Sequence, residues 1–454
     1  MGPFRWLESR LGVGEFVRKV ATEKRPPATT GWLHTIGYAA LSLFLLQAIT
    51  GIALGFFYVP AADHAYDSIR VLEHDVEGGA LLRAVHHWGA SAMIVLVFVH
   101  AIRVFFQGAY KRPREFTWLA GLGLFGAVVG LGFTGYLLPW DQKAYFATKV
   151  GVNIAGSAPE IGPYLKTALY GAQDIGPSTL NRFFALHVLV LPAVLVLLLV
   201  VHMQQIQRHG IAPTGCRVDD PGTPGRPYHP YHTWKEAIVA IAAVATVIAL
   251  AWRLGAPLEA EADGADLAYV PRPDWYFFAP FELLKWFKGE NEVIATMGIP
   301  AALGTILVLL PFVDRNKERR ITKRPIALVC GTTFLLGVIG LTVKGALDKP
   351  EQYATPPHPL FAPAEIRLGY DTMRHEGCFS CHTINVDGKT FGQNSLDANG
   401  EILEAPSLNE VDYEPEDLAE FLGDTGMDDM PSFPHLSSAE RLAIGKYLLL
   451  VHEE

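Results

Sequence analysis

Residues 81–103 read LLRAVHHWGASAMIVLVFVHAIR, and residues 182–202 read RFFALHVLVLPAVLVLLLVVH. Each stretch is apolar and interrupted by histidines at a long interval: His86 and His100 lie fourteen residues apart, His187 and His202 fifteen. Fourteen steps advance a helix by about 21 Å and end about 40° short of the starting face. Each stretch, as a helix, therefore carries two imidazoles on nearly one face at two depths. A single buried histidine is commonly a satisfied core or pore residue. Four at matched spacing inside apolar segments point instead to function. Two such helices side by side make two stacked bis-histidine sites, the ligand set of six-coordinate haem iron and a route for electrons through a membrane. His87 misses the interval and reads as a neighbour, not a ligand.

Outward from these stretches the chain keeps a membrane composition, with 50% of its 454 residues hydrophobic and 18% charged. Seven segments are long and apolar enough to span, near 33–59, 86–106, 117–138, 183–206, 236–254, 292–313 and 326–346. The opening MGPFRWLESRLG has no apolar core of its own, so the first span is expected to start insertion. Lys111, Arg112 and Arg114 after the second span, and Arg315, Lys317, Arg319, Arg320, Lys323 and Arg324 after the sixth, place those loops in the cytoplasm. The loops at 60–80 and 255–274 are acid-rich. Seven spans from a cytoplasmic N-terminus leave everything after about residue 347 on the exterior of a bacterial-type inner membrane.

That tail differs from the rest. Residues 348–454 hold 21 acidic and 6 basic side chains, a net charge of −15 against +6 for residues 1–347. It is entered through the proline-rich KPEQYATPPHPLFAP, residues 349–363. Its acidity would steer basic partners, or serve solubility alone. Within it, Cys378-Phe379-Ser380-Cys381-His382 is a CxxCH run, in which two thiols can bond the vinyl groups of a c-type haem while the imidazole ligates iron. A zinc knuckle lacks a second ligand pair nearby, and a Cys378–Cys381 disulfide is the other alternative. Cys216 and Cys330 are isolated. Met430, followed by Pro431, is the sixth ligand expected from context, with Met427 the fallback. A His/Met pair raises the iron's potential, which suits an electron acceptor. The stretch resembles the Met-Pro loop of class I cytochromes c, followed by a last helix over Ser438–Val451.

Glycines repeat the histidine interval. Gly37 and Gly51 on the first span, and Gly121 and Gly135 on the third, are each fourteen apart. Four helices with one axial period suit flat cofactor rings at two levels that require close backbone approach. His86 with His187 would then form the outer level and His100 with His202 the inner. Arg83 and Arg103 lie near the depths at which haem propionates need countercharge, with phospholipid as their alternative partner.

LLRAVHHWGASAM, VHAIR, KRPREFTWLAG, FTGYLLPWDQ and RFFALHVLVLPAVLVLLLVVH together resemble the cytochrome b family of bc and b6f complexes, most closely the b6 type, over residues 20–346. The fifteen-residue gap on the fourth span is the b6-type spacing. Residues 230–346, with PDWYFFAPFELLK, resemble the three-helix part that b6f complexes make as a separate chain. The resemblance implies an all-α, seven-helix bundle with two b haems between helices 2 and 4, followed by a small cytochrome c domain. The domains would be 1–30, an N-terminal cytoplasmic segment; 31–210, the dihaem core; 211–347, the subunit IV-like region; 348–365, a linker; and 366–454, the cytochrome c domain.

It also implies quinol oxidation near the exterior face. Pro273-Asp274-Trp275-Tyr276 stands where the family carries Pro-Glu-Trp-Tyr, and an acid there can take a proton from quinol while Tyr276 orients the substrate. Asp for Glu shortens the reach by one methylene. The segment from Leu138, Pro139 and Trp140 to Lys143 should form the opposing wall. Thr35 stands where plastid-type members carry a cysteine for an additional covalent haem, so none is expected there. Arg208 marks the edge of the inner quinone site. The implied reaction is bifurcated, one electron going to an iron–sulfur centre and the other inward. The chain lacks the paired Cys/His runs of a Rieske centre, so that subunit would be a partner. A soluble or membrane-bound cytochrome c or a terminal oxidase would accept electrons, a homodimer in the lipid bilayer is expected, and nucleic acid is not. Asp-containing variants of the motif favour menaquinol, with ubiquinol the alternative. A passive dihaem conduit for another dehydrogenase, and a transporter or sensor with buried histidines, are the rival classes.

Overall fold

The computed structural model describes residues 25–264, 269, 271–348, 356, 359, 362–386, 389–392, 405, 407–410, 414–426, 430 and 432–453. Seven helices in it are long and apolar enough to cross a membrane. They are α1 (Ile36–Gly55, entered through a tight turn at Trp32–Thr35), α3 (Gly79–Phe106), α4 (Glu115–Tyr136), the continuous α7 (Pro177–Ala185) and α8 (Leu191–His209), α9 (Thr233–Leu254), α11 (Ile299–Val313) and α12 (Pro325–Leu347). Shorter helices sit between them: α2 (Ala65–His74), α5 (Gln142–Gly156), α6 (Gly162–Tyr170) and α10 (Phe278–Leu284). The seven spans agree with those expected; the second and fourth start farther out, at Gly79 and Pro177.

Apolar residues all round these helices leave no single stripe to bury, as expected of segments solvated by lipid. Interior packing is therefore selective. Leu43, Ala84, Val85, Met93, Ala127, Val128, Leu195, Val247 and Ala251 form one buried core joining α1, α3, α4, α8 and α9. Small residues there let backbones approach. Between α7 and α8, residues Leu186–Val190 form one wider turn. Pro192 has no N–H to donate to the carbonyl four residues earlier, and a wider turn accommodates that break.

At one end of the bundle, basic side chains are organised by a single acid. Lys111 Nζ donates to Asp314 at 2.8 Å and to the carbonyls of Asn316 and Glu318, while Tyr110 and Arg324 reach the other oxygen of Asp314. Lys111 is only 2% exposed. Burial alone would raise the Asp314 carboxyl, but the bonds from Lys111 and Tyr110 and the adjacent cations outweigh it and hold it below its ordinary range.

The tail folds around its own core. α13 (Ala364–His375) crosses α15 (Ser438–Glu453), with α14 (Pro415–Phe421) packed beside α15. Gly369 permits the crossing: a Cβ there would fall 2.0 Å from the Ala443 carbonyl oxygen. Tyr370, Met373, Phe379, Leu418, Phe433, Ile444 and Tyr447 fill this core, and Cys378 and Met430 pack against it. The described chain is mostly helical, as expected, and the tail adds one short strand pair. β1 (Thr383–Val386) and β2 (Lys389–Gly392) form an antiparallel hairpin directly after His382. The last helix starts at Ser438 as expected; Met427 and Pro431 lie outside the described residues.

Candidate functional site

The histidines of α3 and of the fourth span meet level by level. The rings of His86 and His187 have centroids 6.2 Å apart. Two imidazoles sharing one metal at about 2 Å per bond have centroids about 6 Å apart. His100 and His202 line a common cavity of about 800 Å³ nearer the basic end. Each histidine is backed by one of the four spaced glycines. A Cβ on Gly51 would stand 3.1 Å from His86 Cε1, on Gly135 2.4 Å from His187, on Gly37 3.0 Å from His100, and on Gly121 3.4 Å from His202. The glycines thus meet the imidazoles themselves.

The protein also orients the rings. His187 Nδ1 lies 3.0 Å from the Leu131 carbonyl, and His202 Nδ1 3.0 Å from that of Thr117. A carbonyl only accepts, so both Nδ1 atoms carry the proton and both Nε2 lone pairs are free for a metal. The Thr50 hydroxyl donates to the Leu46 carbonyl and lies 2.9 Å from His86 Nδ1, which assigns the same tautomer to His86. His100 Nδ1 and Arg103 Nε are buried without partners. Free Nε2 atoms, glycine-backed rings and an unpaired buried cation are what haem b and its propionates require, so the residues fit the group. Arg83 is engaged otherwise: its guanidinium binds Glu73 at 2.5 Å and the carbonyls of Ala256 and Pro257. Of the two arginines, Arg103 has the free donor. Thr35 is buried, its hydroxyl on the Trp32 carbonyl.

At the other end, the two walls expected from sequence come together. Asp141 caps α5 through the Ala144 N–H at 2.8 Å and also accepts from Glu259 N. Gln142 N donates to Ala260 O, and Ala262 N to Trp140 O, zipping residues 140–142 to residues 259–262. Trp140 is held by these bonds at φ 53°, a left-handed conformation that costs a non-glycine residue about 1–2 kcal/mol. Burial raises the Asp141 carboxyl, against the two N–H bonds that lower it. Opposite, Asp274 is 9% exposed, and Lys143 Nζ donates to its Oδ1 at 2.7 Å. The Tyr276 hydroxyl is 3.4 Å from Oδ2, and burial followed by the Asp274 charge pushes that phenol well up. Pro273 and Trp275 flank the acid in the same turn, and Pro139 immediately precedes the left-handed Trp140. His87, on α3, stacks edge-on with Trp88 and lies in the electrostatic field of Asp274 and Lys143.

The inner cavity has a polar rim that sequence reasoning only half located. Arg208 lines it, together with Arg114, Arg319, Tyr228 and Glu236. Tyr228 donates to Glu236 at 2.6 Å, and His232 Nε2 is 3.5 Å from the same oxygen. The run Tyr228-His229-Pro230-Tyr231-His232 was a usable signal, four ring-bearing polar residues at the entry of a span.

In the tail, Cys378, Cys381 and His382 share one tight turn, with His382 N bonded to Cys378 O at 3.0 Å. Neither cysteine is in a disulfide, and burial, with Glu376 adding, pushes the Cys378 thiol up to about 12. Met430 follows Thr425, whose hydroxyl holds the Met430 carbonyl at 2.8 Å. Among the described residues no group of three or more His, Cys, Asp or Glu side chains is placed to hold a metal ion.

The family described as Cytochrome b/b6/petB matches residues 21–210, and Cytochrome b(C-terminal)/b6/petD matches residues 265–357. The menaquinol:cytochrome c reductase cytochrome b subunit of Geobacillus thermodenitrificans is 44% identical over 216 residues, 46% of this chain and 96% of that protein. The cytochrome bc complex cytochrome b subunit of Chlorobaculum thiosulfatiphilum is 34% identical over 336 residues, 73% of this chain and 77% of that one. A solved structure titled Hyperthermophilic respiratory Complex III superposes with a TM-score of 0.70 at 26% identity, covering 77% of this chain and 92% of that chain. With its matched histidine and glycine registers and 96% of the Geobacillus protein covered at 44% identity, the chain belongs to the cytochrome b/b6 family.

Proposed function

We propose that this chain is the cytochrome b subunit, with a cytochrome c domain fused behind it, of a proton-translocating quinol:cytochrome c oxidoreductase. One observation carries the reading above the others: four histidines meet in two level pairs, each ring backed by a glycine. Two haem b groups would be held by His86 with His187 and by His100 with His202, and one covalent haem c by Cys378, Cys381, His382 and Met430, together supplying one-electron transfer across the membrane and out to an acceptor. Arg103 would countercharge the inner propionates, while Arg83 anchors the loop at Ala256–Pro257 beside the quinol pocket.

Quinol would bind between the Pro139–Lys143 wall and the Pro273–Tyr276 turn. Asp274 takes one proton as the electrons leave, Tyr276 orients the substrate, and Trp140 and Trp275 exclude water. One electron goes to a Rieske iron–sulfur partner and the other inward, to a second quinone near Arg208. There the Tyr228–Glu236 pair, lining the cavity, is placed to supply a proton. The basic end would face the cytoplasm by the charge rule, leaving the Asp274 pocket and the cytochrome c domain outside. The domains are those given above, with the haem core ending near 210 and the tail domain starting near 366. Menaquinol is favoured by the names of the relatives and by Asp274 itself. A homodimeric complex in the bilayer, passing electrons to a cytochrome c or a terminal oxidase, completes the reading.

Pyridine haemochrome analysis of the purified chain tests it. Two extractable b haems per covalently held c haem are expected; absence of b haem would overturn the assignment.

A further inference from the structure

The carboxylate that faces the quinol pocket is not free. Lys143 stands in the first turn of α5, fixed there by the Asp141 cap and by the zipper to residues 259–262, and its ammonium reaches across to Asp274 Oδ1 at 2.7 Å. The side chains are 24% and 12% exposed, so the pair is largely shielded from solvent. Asp141 is nearer in sequence, but its two oxygens accept the N–H groups of Ala144 and Glu259, which leaves Asp274 as the acid that Lys143 binds. Among the described residues, the other titratable groups that interact with Asp274 are His87 on α3, Tyr136 on α4, and Tyr276 beside it. Among the described residues, Lys143 is the cation that touches the carboxylate.

We propose that Lys143 is a positioning residue for quinol oxidation: it holds the Asp274 carboxylate in place in the pocket until a quinol proton neutralises it, and the neutral acid is then released to carry that proton away. This inference rests on Asp274 being the proton acceptor proposed above. The step balances simply. One quinol O–H bond breaks, its proton forms an O–H bond on Asp274, and the electron leaves to the iron–sulfur partner named above. The ammonium keeps its own proton throughout. Attraction between Lys143 and Asp274 requires the carboxylate charge, so proton transfer itself opens the latch.

The test uses the purified complex and the pH profile of kcat/KM for quinol oxidation. Replacing the ammonium by a neutral group removes the positive charge beside the proton-accepting carboxylate, so the acid limb of the profile moves to higher pH. Lys143→Gln is expected to show that displacement and Lys143→Arg to restore the wild-type limb, both with native b haem content. Lys143→Met, unbranched and flexible, serves if the Gln variant does not assemble. A neutral variant with a lower rate but an unmoved limb overturns the proposal, because a merely structural lysine would behave so. Failure of the underlying reading is distinct: Asp274→Asn would then keep its quinol oxidation.

Discussion

Adding a single methyl group to Gly135 should cost the protein its outer b haem. A Cβ at 135 would stand 2.4, 2.8 and 3.1 Å from His187 Cε1, Nδ1 and Nε2, where ordinary contact begins near 3.4 Å, so the imidazole must retreat by about 1 Å. It cannot retreat freely. Nδ1 is held 3.0 Å from the Leu131 carbonyl and 3.4 Å from the Thr134 hydroxyl, both on the helix that carries Gly135. Overpacking of this kind costs about 1–3 kcal/mol, equivalent to about 5- to 150-fold in retention of the haem. Gly121→Ala is the matched control: its Cβ would lie 3.4 Å from His202, within ordinary contact. Haem b content and dithionite-reduced spectra of the two variants decide the matter. One b haem lost or spectrally shifted in Gly135→Ala, with both intact in Gly121→Ala, is expected. Both haems intact and unshifted in Gly135→Ala would refute the reasoning.

Asp274→Asn keeps the shape of the pocket but cannot accept a proton, and should lower quinol oxidation by about 100-fold or more with unchanged haem content; a passive electron conduit would keep its turnover. Cys381→Ser should abolish one of the two thioether bonds and alter the alkaline pyridine spectrum of the c haem, whereas Met430→Ala should leave the haem attached but lower its potential, read by redox titration. Asp314→Asn strands the buried Lys111 and should destabilise the basic-end clamp by about 3 kcal/mol, seen as faster hydrogen exchange of residues 314–324. Because the folded Asp314 carboxyl is held below its ordinary range, its contribution is fully present above the unfolded value near about 4 and is lost only as pH falls through the lower folded value. The wild-type clamp should therefore stay protected at pH 5 and loosen at more acid pH.

Much of this was legible because it is periodic. The fourteen-residue intervals of histidine and glycine are helical registers, and the structure brings together the residues that share a level. The odd interval has a local cause. His187 and His202 are fifteen apart, and the wide turn at Leu186–Val190 contains His187, absorbing the additional residue just before Pro192. Ion pairs carry no such signal. The Lys143–Asp274 contact joins residues 131 positions apart, and Arg83 binds the loop at 256–257, some 173 positions away; no pattern along the chain announces either. The Glu236–Tyr228 pair was missed because a carboxylate at the entry of an apolar helix reads as a boundary charge until the cavity beside it is seen. The hairpin after His382 escaped for a similar reason: two four-residue strands in a polar stretch have too little alternation to detect.

The central claim is that iron sits between the second and fourth spans at two levels, and the pairing of the ligands tests it most directly. Each histidine is replaced singly by alanine, and the remaining b haem is identified by redox titration. His86→Ala and His187→Ala should lose the same haem, His100→Ala and His202→Ala the same other one, with the second haem retained in every case. Retention of both haems in any of the four, or losses that pair His86 with His202, would contradict the account.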